Sequence, residues 1–348
     1  MLSKIKSVVH KIFHWEYWPF EIVNTPIFFV WCYYAARSKS FFFFNAANPS
    51  IKNGGFLMES KKEIYDIIPE KYIPKTLLFT KADNIDFILK SISQKNINYP
   101  FIAKPDIGMK GLGVAKINTN KELEGYAQKV PINFLVQEYI AYNNEIGVFY
   151  YKYPNQNVGQ ISGIVYKEML AIKGNGFSNM ETLIKQNPRA NFQLKALQLN
   201  YGDTLKKVLA LQEVFNLVPF GNHSRGAKFI DAKHLITPKL VNKINEICNN
   251  IPHFYFGRLD IKYNTIEELE VGKNFSIIEL NGAGSEPTHI YDPKHSLFFA
   301  WREISRHLNI QYKISTINNK KGHRYLSFNE GLQMFKANSN LVKQLQAM

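Results

Sequence analysis

Two short segments in the last third of the chain constrain it most: Gly257-Arg258-Leu259-Asp260-Ile261 and Ile278-Glu279-Leu280-Asn281. Each reads as a strand in which apolar residues alternate with charged or amide side chains. Residues i and i+2 of a strand share a face. Arg258 and Asp260 therefore point together, as do Glu279 and Asn281. If residues 264–274 form a loop, the strands can pair antiparallel and bring Asp260 beside Glu279. Neighbouring carboxylates repel unless a cation lies between them. Oxygen ligands completed by phosphates are the preference of Mg²⁺. Asn281 adds a neutral oxygen, and Arg258 supplies positive charge for a developing oxyanion. A charged solvent face is the plainer alternative. It leaves unexplained why the apolar run Ile277-Ile278-Glu279-Leu280 carries a carboxylate just before the glycine-rich turn Gly282-Ala283-Gly284.

A second segment, Ile102 to Val114, runs from a strand through Lys104, Pro105, Gly108, Lys110, Gly111 and Gly113 into another strand. Glycines let a backbone turn tightly and present successive N–H groups to phosphate oxygens. Lys104 leaves the strand end near that nest. The segment is neither a P-loop, since no Gly-Lys-Ser/Thr closes it, nor a dinucleotide fingerprint, since a strand follows rather than a helix. A glycine-rich hairpin without ligand is the alternative. A third segment, Gln137-Glu138-Tyr139-Ile140 followed by Glu145 and Gly147, reads as an apolar strand running into polar residues. Such a strand end can offer backbone groups to an adenine edge, and a later carboxylate can accept from ribose hydroxyls.

Around these segments the periodicity predicts an α+β chain in four parts. Residues 1–60 form an aromatic and basic leader with turns at Asn48-Pro49 and Asn53-Gly54-Gly55. Residues 61–140 alternate short helices and strands. Residues 141–315 begin with paired strands near 146–153 and 159–170, followed by a helix opened by a capping box on Ser178 and Glu181. Residues 316–348 end in a peripheral helix from Phe328. The glycine-rich turn at Gly174-Asn175-Gly176 precedes the capped helix and is read as a strand-to-helix turn.

Charge enters at this point: 43 basic against 28 acidic residues, a net +15. That suits anionic partners, but no nucleic-acid motif accompanies it, so nucleic acid is not expected. Only Cys32 and Cys248 are present, which points to a reducing, cytoplasmic setting without disulfide framework or thiolate metal site. No G-x-S-x-G, H-E-x-x-H or C-x-x-C occurs. At the amino terminus, Leu2, Ile5, Val8, Val9, Ile12 and Phe13 recur at helical spacing among Lys4, Lys6, His10 and Lys11. Trp15, Tyr17, Trp18 and Phe20 follow. The apolar run from Ile27 to Ala36 is about half a bilayer span, and Glu21, Asn24 and Pro26 break any longer reading. Residues 1–45 either lie on a membrane interface or pack on their own domain, and both readings stand.

The ordered set of Lys104-Pro105 with its glycine loop, Gln137-Glu138-Tyr139-Ile140 with Glu145, Arg258-x-Asp260 and Glu279-x-Asn281 resembles the ATP-grasp superfamily. Within it the likeness is to D-alanine–D-alanine ligases and related carboxylate–amine ligases, over about residues 60–300. The resemblance implies two α+β subdomains, 61–140 as the lid and 141–315 with the metal site, gripping ATP. It implies a small-molecule carboxylate joined to an amine, or a thiol, through an acyl phosphate with release of ADP and phosphate. Lys104 would contact the nucleotide, with Lys62 or Lys61 as an earlier lysine, and Gly108, Gly111 and Gly113 over the phosphates. Glu138, Tyr139 and Ile140 would line adenine, and Glu145 the ribose. Asp260, Glu279 and Asn281 would hold Mg²⁺, and Arg258 would stabilise acyl transfer. Lys228, in Arg225-Gly226-Ala227-Lys228, resembles the lysine of a mobile loop over the triphosphate, assisted by Arg225. Ser285, Glu286, Thr288 and His289 follow the metal strand and fall on the substrate side, with a structural histidine as the alternative for His289. The short leader departs from the longer first domain of D-alanine–D-alanine ligases, which puts a D-alanine substrate in doubt. A hydroxyl kinase of the same superfamily, or a non-catalytic nucleotide-binding protein at a membrane, are the competing readings. Oligomeric state stays open, a homodimer included.

Overall fold

The structure, a computed structural model, describes residues 14–348 except 110, 219, 220 and 222. The basic amphipathic segment ending at Phe13 and the side chain of Lys110 lie outside the described residues. Helix α1 (Phe20–Ser38) leads into tight aromatic turns and then α2 (Lys61–Ile67). Next come β1 (Thr76–Phe79), α3 (Ile85–Gln94), β2 (Phe101–Pro105), β3 (Ala115–Ile117), α4 (Asn120–Lys129) and β4 (Phe134–Glu138). These strands form an antiparallel sheet in the order β1-β4-β2-β3. Ile88 and Ile92 of α3 and Leu123 and Tyr126 of α4 cover it, packing on Phe79, Phe101 and Phe134.

The second sheet has the order β11-β10-β5-β6-β9, all antiparallel. Its strands are β5 (Asn144–Tyr151), β6 (Gln160–Glu168), β9 (Lys228–Asp231), β10 (Phe256–Tyr263) and β11 (Phe275–Asn281). Between β6 and β9 lie a ribbon of β7 (Ala171–Lys173) and β8 (Val214–Asn216), and the helices α5 (Met180–Gln186), α6 (Pro188–Asn191) and α7 (Leu194–Tyr201). Helix α8 (Pro238–Asn249) buries Leu240, Ile244 and Ile247 against this sheet. The short α9 (Ile266–Glu270) lies in the connection between β10 and β11, and α10 (Leu297–Lys320) and α11 (Phe328–Gln346) follow β11. This is the expected α+β architecture, two antiparallel sheets each backed by helices.

Helix starts follow local chemistry. Side chains of Ser60, Asn84, Thr119, Thr237 and Ser327 each accept a first-turn backbone N–H, the role that favours these residue types at N-caps. The cap of α5 is Asn179, which accepts from Thr182 N, rather than Ser178. Ser178 is instead engaged by the Asn175 side chain at 3.1 Å.

Helix α1, the leader residues after it and the carboxy-terminal helix all pack on the body of the fold. Glu21, Asn24 and Pro26 lie within α1, which is not long and apolar enough to cross a membrane. Pro26 sits one turn into the helix, where its missing N–H leaves a single carbonyl, that of Ile22, without its helical partner. The carboxy-terminal helix is not peripheral. Met334, Leu341 and Leu345 of α11 are buried, and Gly331 lies so close to the Phe42 ring that a side chain would collide with it. Leader residues are likewise built into the body. Phe42, Phe43 and Phe44 are fully buried with Ile310 and Ile314 of α10. Asn48 donates to the carbonyls of Gly54 and Phe256 and accepts from Tyr255 N and Phe256 N. Gly54 and Gly55 in turn accept from Ala283 N and Gly284 N, each at 2.9 Å. The leader thereby holds the turn that follows β11.

Candidate active site

Strands β10 and β11 pair antiparallel with Arg258 opposite Asn281 and Asp260 opposite Glu279. On its other side β10 pairs with β5, which sets Gly147 opposite Asp260. A Cβ at Gly147 would approach Arg258 and Asp260 to 3.0 Å, so glycine leaves room for both side chains. The Arg258 guanidinium donates to both Asp260 oxygens, at 2.8 and 3.2 Å, and to the Glu286 carbonyl at 3.4 Å.

Sequence reasoning missed Lys167. Its ammonium is buried and lies 2.8 Å from Glu145 and 3.1 Å from Asp260. In the sequence it reads as the polar end of a strand. The register of β6 against β5 brings it onto the same face as Gly147. Burial raises the Asp260 pKa, but Arg258 and Lys167 outweigh it and hold the carboxyl down at about 2. Burial lowers the Lys167 pKa, and Asp260 and Glu145 outweigh that and raise it. Lys167, Arg258 and Asp260 are thus charged at neutral pH. Glu145 is committed to Lys167, so a ribose contact would have to break or share a buried ion pair.

Lys104 reaches this site from the other sheet. Its ammonium is buried and donates to Tyr65 Oη at 2.7 Å, Gln137 Oε1 at 2.9 Å and the Ile278 carbonyl at 3.3 Å. It therefore bridges the first sheet, α2 and β11, next to Glu279. Burial lowers its pKa from 10.5 to about 8 against the opposing effects of Glu279 and Asp106. Between those two values the folded chain binds fewer protons than the unfolded one, so Lys104 makes the fold gain stability as pH rises through that window. A triphosphate needs the charged form. If the chain binds ATP as the resemblance implies, its affinity is expected to be flat below pH about 8 and to fall about tenfold per unit above it, and Lys104→Gln to remove that dependence. Calorimetric titration across pH checks both.

The carboxylates around Lys104 are unevenly engaged. Among the described residues no hydrogen bond or ion pair engages the Glu279 carboxylate. Asn281 Nδ2, Glu59 Oε2 and Thr288 Oγ1 are buried without a hydrogen-bond partner. Burial raises the Glu59 pKa, with Glu279 adding to it. Such orphaned buried groups are uncommon in a finished core. Among the described residues no three His, Cys, Asp or Glu side chains gather as a metal cage. Asp260, Glu279 and Asn281 offer two carboxylates and an amide, a donor set that suits Mg²⁺ shared with phosphate oxygens and not a cation held by protein alone; Asp260 would have to share its oxygens with Arg258 and Lys167.

The glycine loop is gripped from both sides. Lys61 Nζ donates to the Gly108 carbonyl at 2.7 Å, and Arg225 Nη2 to the Gly111 carbonyl at 2.7 Å. Gly111 and Gly113 have φ of 70° and 69°, where a side chain is strained. Of the two lysines weighed for the nucleotide, Lys61 turns inward. Lys62 pairs with Asp66 one helical turn on and faces outward. Lys228 opens strand β9 opposite Glu168, 3.8 Å from its carboxylate and half-exposed, so it lies on a strand edge and not on a loop.

At the end of β4, Glu138 accepts the Lys75 backbone N–H at 3.3 Å. The Tyr139 ring lies under the ammonium groups of Lys116 and Lys262, at 4.2 and 5.5 Å. Ile140 follows, half-buried. Beyond β11, Ser285 donates to the Gly282 carbonyl and Glu286 accepts from Tyr291 Oη at 2.8 Å. His289 is buried against Gly163, 3.5 Å from Glu303. Glu303 also holds Arg306, and burial presses the His307 pKa down to about 3. These contacts fit the structural alternative for His289. Glu16 closes the same side, bound by Arg189 at 2.8 Å and His223 at 2.9 Å.

No family model matches the chain, and no curated protein sequence matches it. Among solved structures it is similar to a D-alanine–D-alanine ligase from Bacillus anthracis, with 12% identity, a TM-score of 0.44, and coverage of 75% of this chain and 69% of that one. It is also similar to the VanG D-Ala:D-Ser ligase from Enterococcus faecalis (15% identity, TM-score 0.42, 73% and 61% covered). A bifunctional glutathione synthetase from Pasteurella multocida matches at 14% identity and TM-score 0.38, over 75% of this chain and 37% of that one. The chain thus spans less than two thirds of the last two. Any functional reading rests on the site's own chemistry.

Proposed function

We propose that the protein is an ATP-grasp ligase that activates a carboxylate with ATP and joins it to an amine or thiol, releasing ADP and phosphate. In this reading residues 61–140 are the lid and 141–315 carry the metal site. The carrying observation is the antiparallel pairing of Asp260 with Glu279, with the buried Lys104 ammonium reaching across from the other sheet to the adjoining Ile278 carbonyl.

Asp260, Glu279 and Asn281 would hold Mg²⁺, which supplies charge neutralisation to the triphosphate. Lys104 and Lys61 add positive charge on the lid side. Gly108, Gly111 and Gly113 offer backbone N–H groups to the phosphates, and Arg225 and Lys228 would approach from the second sheet. Glu138, Tyr139 and Ile140 form the edge for adenine, with Glu145 near the ribose. Positioning and charge are the main contributions a protein can make to phosphoryl transfer. A carboxylate oxygen attacks the γ-phosphorus as the bond to ADP breaks, giving an acyl phosphate. The amine nitrogen then attacks the carbonyl carbon. Arg258 faces the resulting oxyanion, the carbon–oxygen bond to phosphate breaks, and the nitrogen loses a proton to solvent. Ser285, Glu286 and Thr288 would meet the two organic substrates.

The test is a screen of carboxylates against amines and thiols, reading ADP and condensed product together. ADP formed only when both partners are present supports the ligase. ADP formed with a hydroxyl compound alone would favour the kinase instead.

A further inference from the structure

From Pro26 to Ala36 helix α1 is apolar all round, with Glu21 the exposed carboxylate of its first turn; an all-apolar stretch of helix belongs inside a core or in contact with a membrane. Only one of its faces is inside. Val23, Ile27 and Ala35 are buried, and Ile27 packs with Ile304 and Leu308 of α10. The opposite face carries Ile22, Phe28, Phe29 and Tyr33, between 54% and 69% exposed. It continues through Phe41, whose ring meets Phe28 at 6.5 Å and Phe42 at 5.2 Å. Phe42 in turn contacts Phe328 and Phe335 of α11, which with Leu332 are exposed. The result is two exposed apolar patches, one on each helix, flanking the buried Phe42 ring, of the kind that marks an interaction surface.

Charge selects the partner. Arg37 and Lys39 are exposed at the end of α1, and Lys336 and Lys343 on α11. Glu330 is already held by Arg324. The fifteen residues that begin the chain include Lys4, Lys6 and Lys11 and no acidic residue, and the whole carries +15. Among the described residues no helix is long and apolar enough to cross a membrane.

We propose that the exposed face of α1, with Phe328, Leu332 and Phe335 of α11, seats the protein on the interface of an anionic phospholipid bilayer. Aromatic rings enter the acyl boundary while the flanking cations meet the headgroups. Flotation of the full-length protein with vesicles tests this. It is expected to bind phosphatidylcholine–phosphatidylglycerol vesicles, to bind pure phosphatidylcholine vesicles weakly, and to be released by salt. The double variant Phe28→Glu/Phe29→Glu alters exposed positions only, and its thermal unfolding is expected to match the wild type. Its binding should drop by at least about tenfold, since it withdraws two rings from the boundary and adds negative charge. Absence of wild-type binding to the anionic vesicles would overturn the proposal, as would unchanged binding of the variant. A concentration-dependent dimer that the same substitutions dissociate would assign the face to a second copy and likewise overturn it.

Discussion

Glu279→Gln is expected to hold the fold and lose the activity. No described hydrogen bond or ion pair engages its carboxylate, so neutralising it relieves repulsion with Glu59 while giving up attraction for Lys104 and Arg258. Chemical unfolding should show stability little changed, since these effects oppose one another. ATP turnover should nevertheless fall by at least about a hundredfold, the scale on which a pre-positioned electrostatic contact acts. Asp260→Asn separates the two effects differently. It should lose comparable activity and also stability, because Arg258 and Lys167 are both buried against that carboxylate. Near-normal turnover in Glu279→Gln would remove the metal assignment.

Lys167→Met is the largest expected stability change. It leaves Glu145 without its ion pair and Asp260 with Arg258 alone. Removing one partner of a buried pair costs about 3–5 kcal/mol. Adding Glu145→Gln should recover part of that loss, with a coupling of about 1–3 kcal/mol in a double-mutant cycle on denaturation midpoints. Strictly additive losses would show that Lys167 and Glu145 do not act as one charge cluster.

How far these groups could be read from the chain alone varies with how local their determinants are. The pairing of β10 with β11 was legible because alternation and a single short connection define it. Likewise, the strand carrying Lys104 ends in glycines whose positive φ is a local property. Lys167 was not legible, since a lysine before a glutamate at a strand end reads as solvated. Only the β5–β6 register turns it inward. The choice between Lys61 and Lys62 depended on which side of one helical turn faces the loop, and sequence alone left both open. Tertiary packing hid the rest. The fit of Phe42 against Gly331 and the Gly54–Ala283 contact join residues far apart in the chain, and no local pattern announces them. The ATP-grasp α+β resemblance rested on short motifs, each with a plainer alternative, so its weight lay in their order along the chain.

The proposed reaction transfers phosphate through the substrate's own carboxylate. Once the screen has identified a carboxylate–amine pair, the carboxylate can be supplied with a heavy-oxygen label and the released phosphate analysed by mass spectrometry. The account predicts one labelled oxygen in phosphate for each amide formed, with ADP as the nucleotide product, because that oxygen bridges carbon and phosphorus before the amine displaces it. Label in AMP, or unlabelled phosphate accompanying the amide, would contradict it.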